Sequence, residues 1–281
     1  MQTARVRPFL RWAGSKRQLL LRLGSFWSDE YSRYVEPFMG SACLFFALNP
    51  RNALLGDLNG ELVQSFMAVR DHPTAVWHRL SRMRLGRRAY YQVRGADVAK
   101  LNEIDRAARL IYLNRFCFNG LYRTNAQGEF NVPHSAARTG DLPTLKELKQ
   151  NSERLRNAEI HHTDFEETLS KTVEGDFVYM DPPYAVGNRR IFRQYGPDSF
   201  GIEDLRRLSA SLKEIHSRNV RFVLTYAYCK EALDMLRGWD MMRVYSHRNI
   251  AGFAKHRRRA AELIVSNCTP ARSGCSATMT E

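Results

Sequence analysis

At 281 residues the chain is long enough to bury a substantial core, and its 44% hydrophobic and 26% charged content exclude a disordered or fibrous protein. The charge is the unusual quantity: 43 Lys and Arg against 29 Asp and Glu leave a formal net charge of +14, which favours a polyanionic partner. No apolar segment approaches the roughly 20 residues that cross a bilayer, and the opening MQTARVRPFLRW has no apolar signal region, so a cytosolic protein is expected.

Residues 8–60 alternate strand and helix signals: YVEPFMGSACLFFAL reads as strand, tight turn and helix, and NALLGDLNGELVQSFMAV repeats the order. From about 61 to 150 the pattern changes. TAVWHRLSRMRLGRRAYYQVR and IDRAARLIYLNRFCF are helical and dense in Arg, and a turn-rich run follows in which residues 123–130, with Asn125 and Gly128 at the turn, predict a β-hairpin. AEIHHTDF, GDFVYMDPPY, VRFVLTYAY and AAELIVSNC are then strand-sized apolar runs, with the helical IEDLRRLSASLKEIHSR between two of them. Strands alternating with helices imply a doubly wound, mostly parallel α/β sheet over 1–60 and 151–270, interrupted by a helical and hairpin insertion over 61–150. Residues 271–281 read as a disordered tail.

Five scattered cysteines, Cys43, Cys117, Cys229, Cys268 and Cys275, form no C-x-x-C pair and have no His at metal spacing, which argues against a disulfide framework or a zinc site. His161 and His162 are neighbours on a strand end, where alternate side chains face opposite ways, and read as structural.

The most informative segment is Asp181-Pro182-Pro183-Tyr184, which closes the apolar run Phe177-Val178-Tyr179-Met180. It lies at the carboxyl end of a buried strand, where open α/β sheets bind ligands. Two successive prolines donate no backbone hydrogen bond and stiffen the turn, leaving a carboxylate, a bare carbonyl and an aromatic ring close together. Such a set suits a planar ring that carries an amine; the bland alternative is a proline turn with a capping Asp and a core Tyr. The turn Pro37-Phe38-Met39-Gly40-Ser41-Ala42 lets a ligand approach the backbone at a helix N-terminus. Asp57, 21 residues beyond Glu36 and ending the next strand, stands where a ribose diol is held in such folds, or else caps the following helix. No G-x-x-x-x-G-K-[ST] run is present, which argues against phosphate cradling of ATP. Phe9-Leu10-Arg11-Trp12-Ala13-Gly14-Ser15-Lys16 could close over a small zwitterion, or could be a helix start with a core Trp.

In this order, RPFLRWAGSK, VEPFMG, LGDLNGELV, YLNRFCFNGLYRTNAQGEFNVP and FVYMDPPY resemble the Dam-type DNA adenine-N6 methyltransferases, an alpha-group family that uses S-adenosylmethionine. The resemblance spans roughly residues 7–184 and continues more weakly through AAELIVSN. It implies a Rossmann-like methyltransferase core with an inserted recognition domain and double-stranded DNA as partner, with no metal. It further implies cofactor contacts at Trp12, Lys16, Glu36, Phe38, Gly40, Asp57, Asp164, Phe165 and Asp181, and catalysis at Asp181, Pro182 and Tyr184. DNA contacts are expected from Asn119, Leu121, Arg123, Asn125 and Pro133, with Arg123 reading a guanine or, alternatively, pairing with Glu129 across the hairpin. Ala42 and Ser15 stand where relatives often have glycine, and His134-Ser135-Ala136-Ala137-Arg138 replaces an aromatic, a glycine and a tyrosine-lysine pair. The expected reaction moves a sulfonium methyl group to the exocyclic amine of a flipped adenine in a GATC-like site. The basic runs 188–195, 255–259 and 79–88 are expected as a lid, a phosphate grip and either a phosphate contact or a solvated face. Two other readings stay open: a protein-glutamine methyltransferase, which would not be expected to carry the Arg-rich insertion, and a catalytically silent DNA-binding protein.

Overall fold

The computed structural model describes residues 6–12, 14–136, 140–184, 200–247 and 259–270. The expected lid at 188–195, residues 255–258 of the phosphate grip, Ala13 and the tail 271–281 lie outside the described residues.

Seven strands form one sheet in the order β3-β2-β1-β4-β5-β7-β6. They are β1 (Arg33–Glu36), β2 (Ala53–Asp57), β3 (Ala158–His162), β4 (Asp176–Met180), β5 (Arg221–Ala227), β6 (Asp240–His247) and β7 (Arg259–Ser266). The first five pair in parallel, and β7 alone runs against its neighbours β5 and β6. The expected mostly parallel α/β sheet is therefore present. Every residue of central β4 is buried, as its unbroken apolar run requires of a strand covered on both faces.

Among the described residues ten α-helices accompany the sheet: α1 (Leu20–Gly24), α2 (Cys43–Leu48), α3 (Gly60–Asp71), α4 (Pro73–Ser81), α5 (Arg87–Arg94), α6 (Glu103–Phe116), α7 (Leu145–Leu155), α8 (Phe165–Ser170), α9 (Ile202–Ser217) and α10 (Lys230–Met235). Their starts follow from local chemistry. Asn59 and Asn102 accept the amides of Leu62 and Asp105 at 3.1 and 2.8 Å, and Thr144 and Glu147 form a reciprocal capping box. Alternation along the central strands divides the core. Tyr34, Phe177 and Tyr179 join Phe45, Phe66 and Tyr112 in one apolar cluster, while Val35, Val178 and Met180 join Leu205, Leu212 and Phe222 in another.

The stretch 61–150 supplies α4 to α6, most of α3 and the first half of α7, in line with its helical reading. Leu80, Tyr90, Val132 and Leu148 belong to the same apolar cluster as Tyr34 of the sheet, so this stretch packs continuously onto it. Arg109, 4% exposed, secures that packing by donating to the carbonyls of Val93 and Arg94 at 3.1 and 2.9 Å and to Glu61 at 3.2 Å. Strand β6 has no counterpart in the sequence reading. It is an edge strand that leaves Met242 and Tyr245 exposed and buries Val244, so its mixed polar composition hides the alternation.

Candidate active site and nucleic-acid interface

Strand order reverses between β1 and β4, which lie side by side although β2 and β3 separate them in the chain. The crevice beyond their carboxyl ends is the topological switch point, and there the fold brings Glu36 and Asp181 together. Asp181 is partly buried, with Pro182 buried behind it. Both of its oxygens are engaged: Lys16 Nζ lies 2.8 Å from Oδ1 and 2.9 Å from Oδ2, and the buried Thr225 hydroxyl donates to Oδ1 at 2.9 Å. Lys16 also donates to the Gly14 carbonyl at 3.0 Å and lies 3.6 Å from Glu262. Burial pushes Lys16 down, but the charges of Asp181, Tyr184 and Glu262 outweigh it and hold the ammonium well above its ordinary value. Burial raises the Asp181 carboxyl, with Lys16 and Thr225 pulling it back. Tyr184 packs its ring 5.0 Å from that of Tyr226, beneath the Lys16 ammonium, and turns its hydroxyl toward Glu262 and Asp181.

Glu36 is 2% exposed and accepts the Tyr34 hydroxyl at 2.8 Å. Burial raises its carboxyl well above the ordinary range, and the nearby Asp181 and Asp57 add to the effect. The following turn is built for close approach. Gly40 has φ +47°, and a Cβ there would press on the Trp12 ring at 3.0 Å, so both backbone and space favour glycine. Ala42, at φ 50°, occupies the same left-handed region, which explains why a glycine there is the less strained choice. Asp57 ties the turn down by accepting the Gly40 amide at 3.0 Å and the Asn59 amide at 2.9 Å. Burial raises its carboxyl against these bonds. Each oxygen retains a second lone pair, so a diol can still be accepted. The capping alternative for Asp57 is not what is observed, because Asn59 caps α3.

Beyond Glu36, Phe38 stacks on Phe165 with centroids 5.3 Å apart, and Phe200 meets Phe38 edge-on at 5.9 Å. Asp164 caps α8 through the Glu166 amide at 3.0 Å and accepts Arg207 at 2.8 Å, both on Oδ1. Arg207 in turn covers the Phe165 ring at 4.8 Å. An ammonium, a carboxylate beside a glycine turn, and an aromatic stack thus stand about the carboxyl ends of β1 to β4.

A second cluster surrounds the loop after α6. Asn114, 2% exposed, accepts the Arg11 amide at 2.8 Å and donates to the Gly120 carbonyl at 3.4 Å, while Trp12 stacks on Tyr122 at 5.6 Å. Gly120 has φ +64° and stands where a Cβ would lie 3.0 Å from Arg11. The predicted hairpin is a tight loop closed by one antiparallel bridge, Thr124 to Phe130. The Asn125 side chain accepts the amides of Gln127 and Glu129 at 3.1 and 2.9 Å, diverting donors that a longer ladder would need. Arg123 does not pair with Glu129: its Nε donates to Asn131 Oδ1 at 2.6 Å, and Glu129 is bound by Asn125 at 2.9 Å. Asn119 adopts φ 56°, Leu121 packs against the core, and the Pro133 carbonyl accepts the Phe118 amide at 2.9 Å. Phe118 itself is 41% exposed.

The sequence reading missed Thr225 and Glu262, whose strands carry no motif, and Phe118, whose exposure no local pattern announces. It also missed a cationic group: burial and the charges of Arg11 and Arg17 depress the Arg115 guanidinium. Among the described residues no helix is long and apolar enough to cross a membrane.

Comparison with known proteins bears on this geometry. Over 271 residues the chain is 32% identical to the type II methyltransferase M1.LlaDCHI of Lactococcus lactis subsp. cremoris, covering 93% of this chain and 95% of that one. It is 29% identical over 265 residues to the DNA adenine methylase of Haemophilus influenzae, covering 92% of each chain. It is also 30% identical over 224 residues to the DNA N-6-adenine-methyltransferase of Escherichia phage P1, covering 78% of this chain and 29% of that longer protein. Residues 12–250 match the family of D12 class N6 adenine-specific DNA methyltransferases. A match over most of the chain, joined to relatives of full length, makes it a member of that D12 class.

Proposed function

We propose that this methyltransferase uses S-adenosylmethionine to methylate the N6 amine of an adenine flipped out of duplex DNA within a short GATC-like site. The observation that carries the reading is the stiff Asp181-Pro182 turn at the switch point, joined by Lys16 and flanked at the neighbouring strand ends by Asp57 and the Phe38–Phe165 stack. Lys16 would hold the donor's carboxylate, Asp57 the ribose diol, and Trp12, Glu36, Gly40, Phe38, Asp164 and Phe165 the remaining surface. The donor, when bound, supplies an electrophilic sulfonium methyl group.

The adenine amine is a poor nucleophile because its lone pair is delocalised into the ring. Asp181 and the Pro182 carbonyl accept its two hydrogens, favouring the tetrahedral nitrogen that attack requires and stabilising charge only as it develops. Tyr184 bounds the ring's position, and its contact helps to offset an unstacking cost of a few kcal/mol. Residues 61–150 serve as the recognition segment. Arg123, released from Asn131, reads a guanine edge, Phe118 and Leu121 line the gap left by the flipped base, and Asn119, Asn125 and Pro133 contact the duplex nearby. The basic surface, with net charge +14, supports phosphate binding.

The test is to sequence modified bases in DNA from cells expressing the protein. N6-methyladenine confined to one short motif with a guanine beside the target is expected. Unmodified adenine, or methyl groups on protein glutamine instead, would overturn the proposal.

A further inference from the structure

Glu262 has no part in the reaction as described, yet it is drawn into the site. It sits on β7 opposite Ala227 of β5, is 4% exposed, and accepts the Tyr184 hydroxyl at 3.2 Å. That hydroxyl has one proton and lies slightly farther, 3.4 Å, from Asp181 Oδ1. Glu262 also lies 3.6 Å from Lys16 Nζ. Two carboxylates from distant strands therefore face one buried ammonium.

The arrangement matters because Asp181 is crowded. Lys16 and Thr225 already occupy it, and Lys16 contacts both of its oxygens. Oδ2 keeps a lone pair beyond the one that Lys16 takes, so a target amine can be accepted there while the ammonium, 6% exposed, stays paired and shares its charge with Glu262 at 3.6 Å. We propose that Glu262 is a positioning residue for methyl transfer: it shares the Lys16 charge with Asp181, so that Asp181 keeps an oxygen open to the target amine, and it anchors the Tyr184 hydroxyl so that the ring stays beside Asp181. The proposal rests on the reading that Asp181 receives the amine.

Charge supports the geometry. Lys16 from the first motif, Cys43 from α2, Glu36 from β1, Tyr179 from β4, Tyr184 from the catalytic turn and Glu262 from β7 are the titratable groups acting on or with Asp181. Among them the Glu262 carboxylate acts to raise Asp181. Removing that charge while keeping the shape should move the protonation of Asp181 to lower pH.

The experiment compares wild type, Glu262→Gln, Glu262→Asp and Asp181→Ala by single-turnover methylation of a cognate duplex at saturating S-adenosylmethionine. Cofactor Kd by calorimetry and DNA Kd by fluorescence anisotropy are measured alongside. Glu262→Gln should lower the single-turnover rate about tenfold or more while both Kd values stay within about threefold. The acid limb of its rate profile should shift to lower pH, and Glu262→Asp should restore the limb but only part of the rate. Wild-type rate and an unshifted limb in Glu262→Gln would overturn the proposal, as would a loss confined to cofactor Kd. If Glu262→Gln fails to fold, Glu262→Asp decides alone: a reduced rate with unchanged Kd values supports the role, and a wild-type rate overturns it. Asp181→Ala separates the two ideas, since wild-type rate there sinks the assignment of Asp181 itself.

Discussion

The Asp181 turn and the tip of the loop after α6 are both dense in polar side chains, yet they are held in opposite ways. At Asp181 the partners come from far along the chain: Lys16 is 165 residues away, and Thr225 is 44. At the tip they are local, with Arg123 and Asn131 separated by 8 residues and Asn125 and Glu129 by 4, although the base of the loop is tied to Trp12 through Tyr122. Geometry set by distant partners depends on the whole fold, whereas geometry set by neighbours travels with its own segment. If these segments act as proposed, the tip can change what it reads without disturbing the centre that reacts. The departure from the family pattern just after Pro133, at His134-Ser135-Ala136, falls on the loop side of that division.

Four measurements would break or sharpen the contrast. The largest effect is expected from Asp181→Ala, which should lower methyl transfer by several orders of magnitude while fold and most DNA binding survive, because Glu262 still pairs Lys16. Turnover within about tenfold of wild type would contradict the role.

Next come Trp12→Ala, Lys16→Ala and Asp57→Ala. Each should weaken S-adenosylmethionine binding in calorimetry, by about tenfold or more for Asp57, whose loss also frees the Gly40 turn. None should alter sequence preference. Unchanged affinity in all three would mean the pocket is elsewhere.

Arg123→Ala tests the loop, with an expected loss of about 1–3 kcal/mol of discrimination at one base pair and no change in cofactor affinity. A methylome of the mutant with the wild-type motif at wild-type stringency would refute it.

The smallest effect concerns Glu36. Its folded-state pKa is raised by burial, so the folded chain holds this proton more tightly than the unfolded one. The associated stability is fully present below the ordinary carboxylate pKa of about 4.3 and is lost as pH rises through the raised value. Glutamine cannot ionise, so the melting temperature of Glu36→Gln relative to wild type should climb by a few degrees as pH is raised from about 4 to about 8. A difference independent of pH would show that Glu36 is charged in the folded protein.

Much of this site could be read from the chain because its signals are local. An apolar run stopped by Asp181, a glycine turn after Glu36 and an acid ending the next strand each announce themselves within a few residues. The doubly wound sheet was legible for the same reason: its central strands are unbroken apolar runs. What escaped depends on distance. Glu262 follows Ala260 and Ala261 and precedes Leu263 and Ile264, a sequence that signals only a strand, and its meaning arises when β7 inserts between β5 and β6. The hairpin was half legible, since Asn125 and Gly128 mark the turn but nothing marks Asn125 as the competitor that shortens it.

The reversed strand also bears on how the protein is made. Lys16 and Asp181 are synthesised well before Glu262, and the strand that delivers Glu262 enters between β5 and an edge strand already made. A nascent chain can complete the parallel half of its sheet while the pairing of charges at the crevice is still unfinished. If Glu262 acts as proposed, competence for chemistry arrives only with β7, and a truncated product that lacks β7 would keep the Asp181 turn without the partner that steadies it.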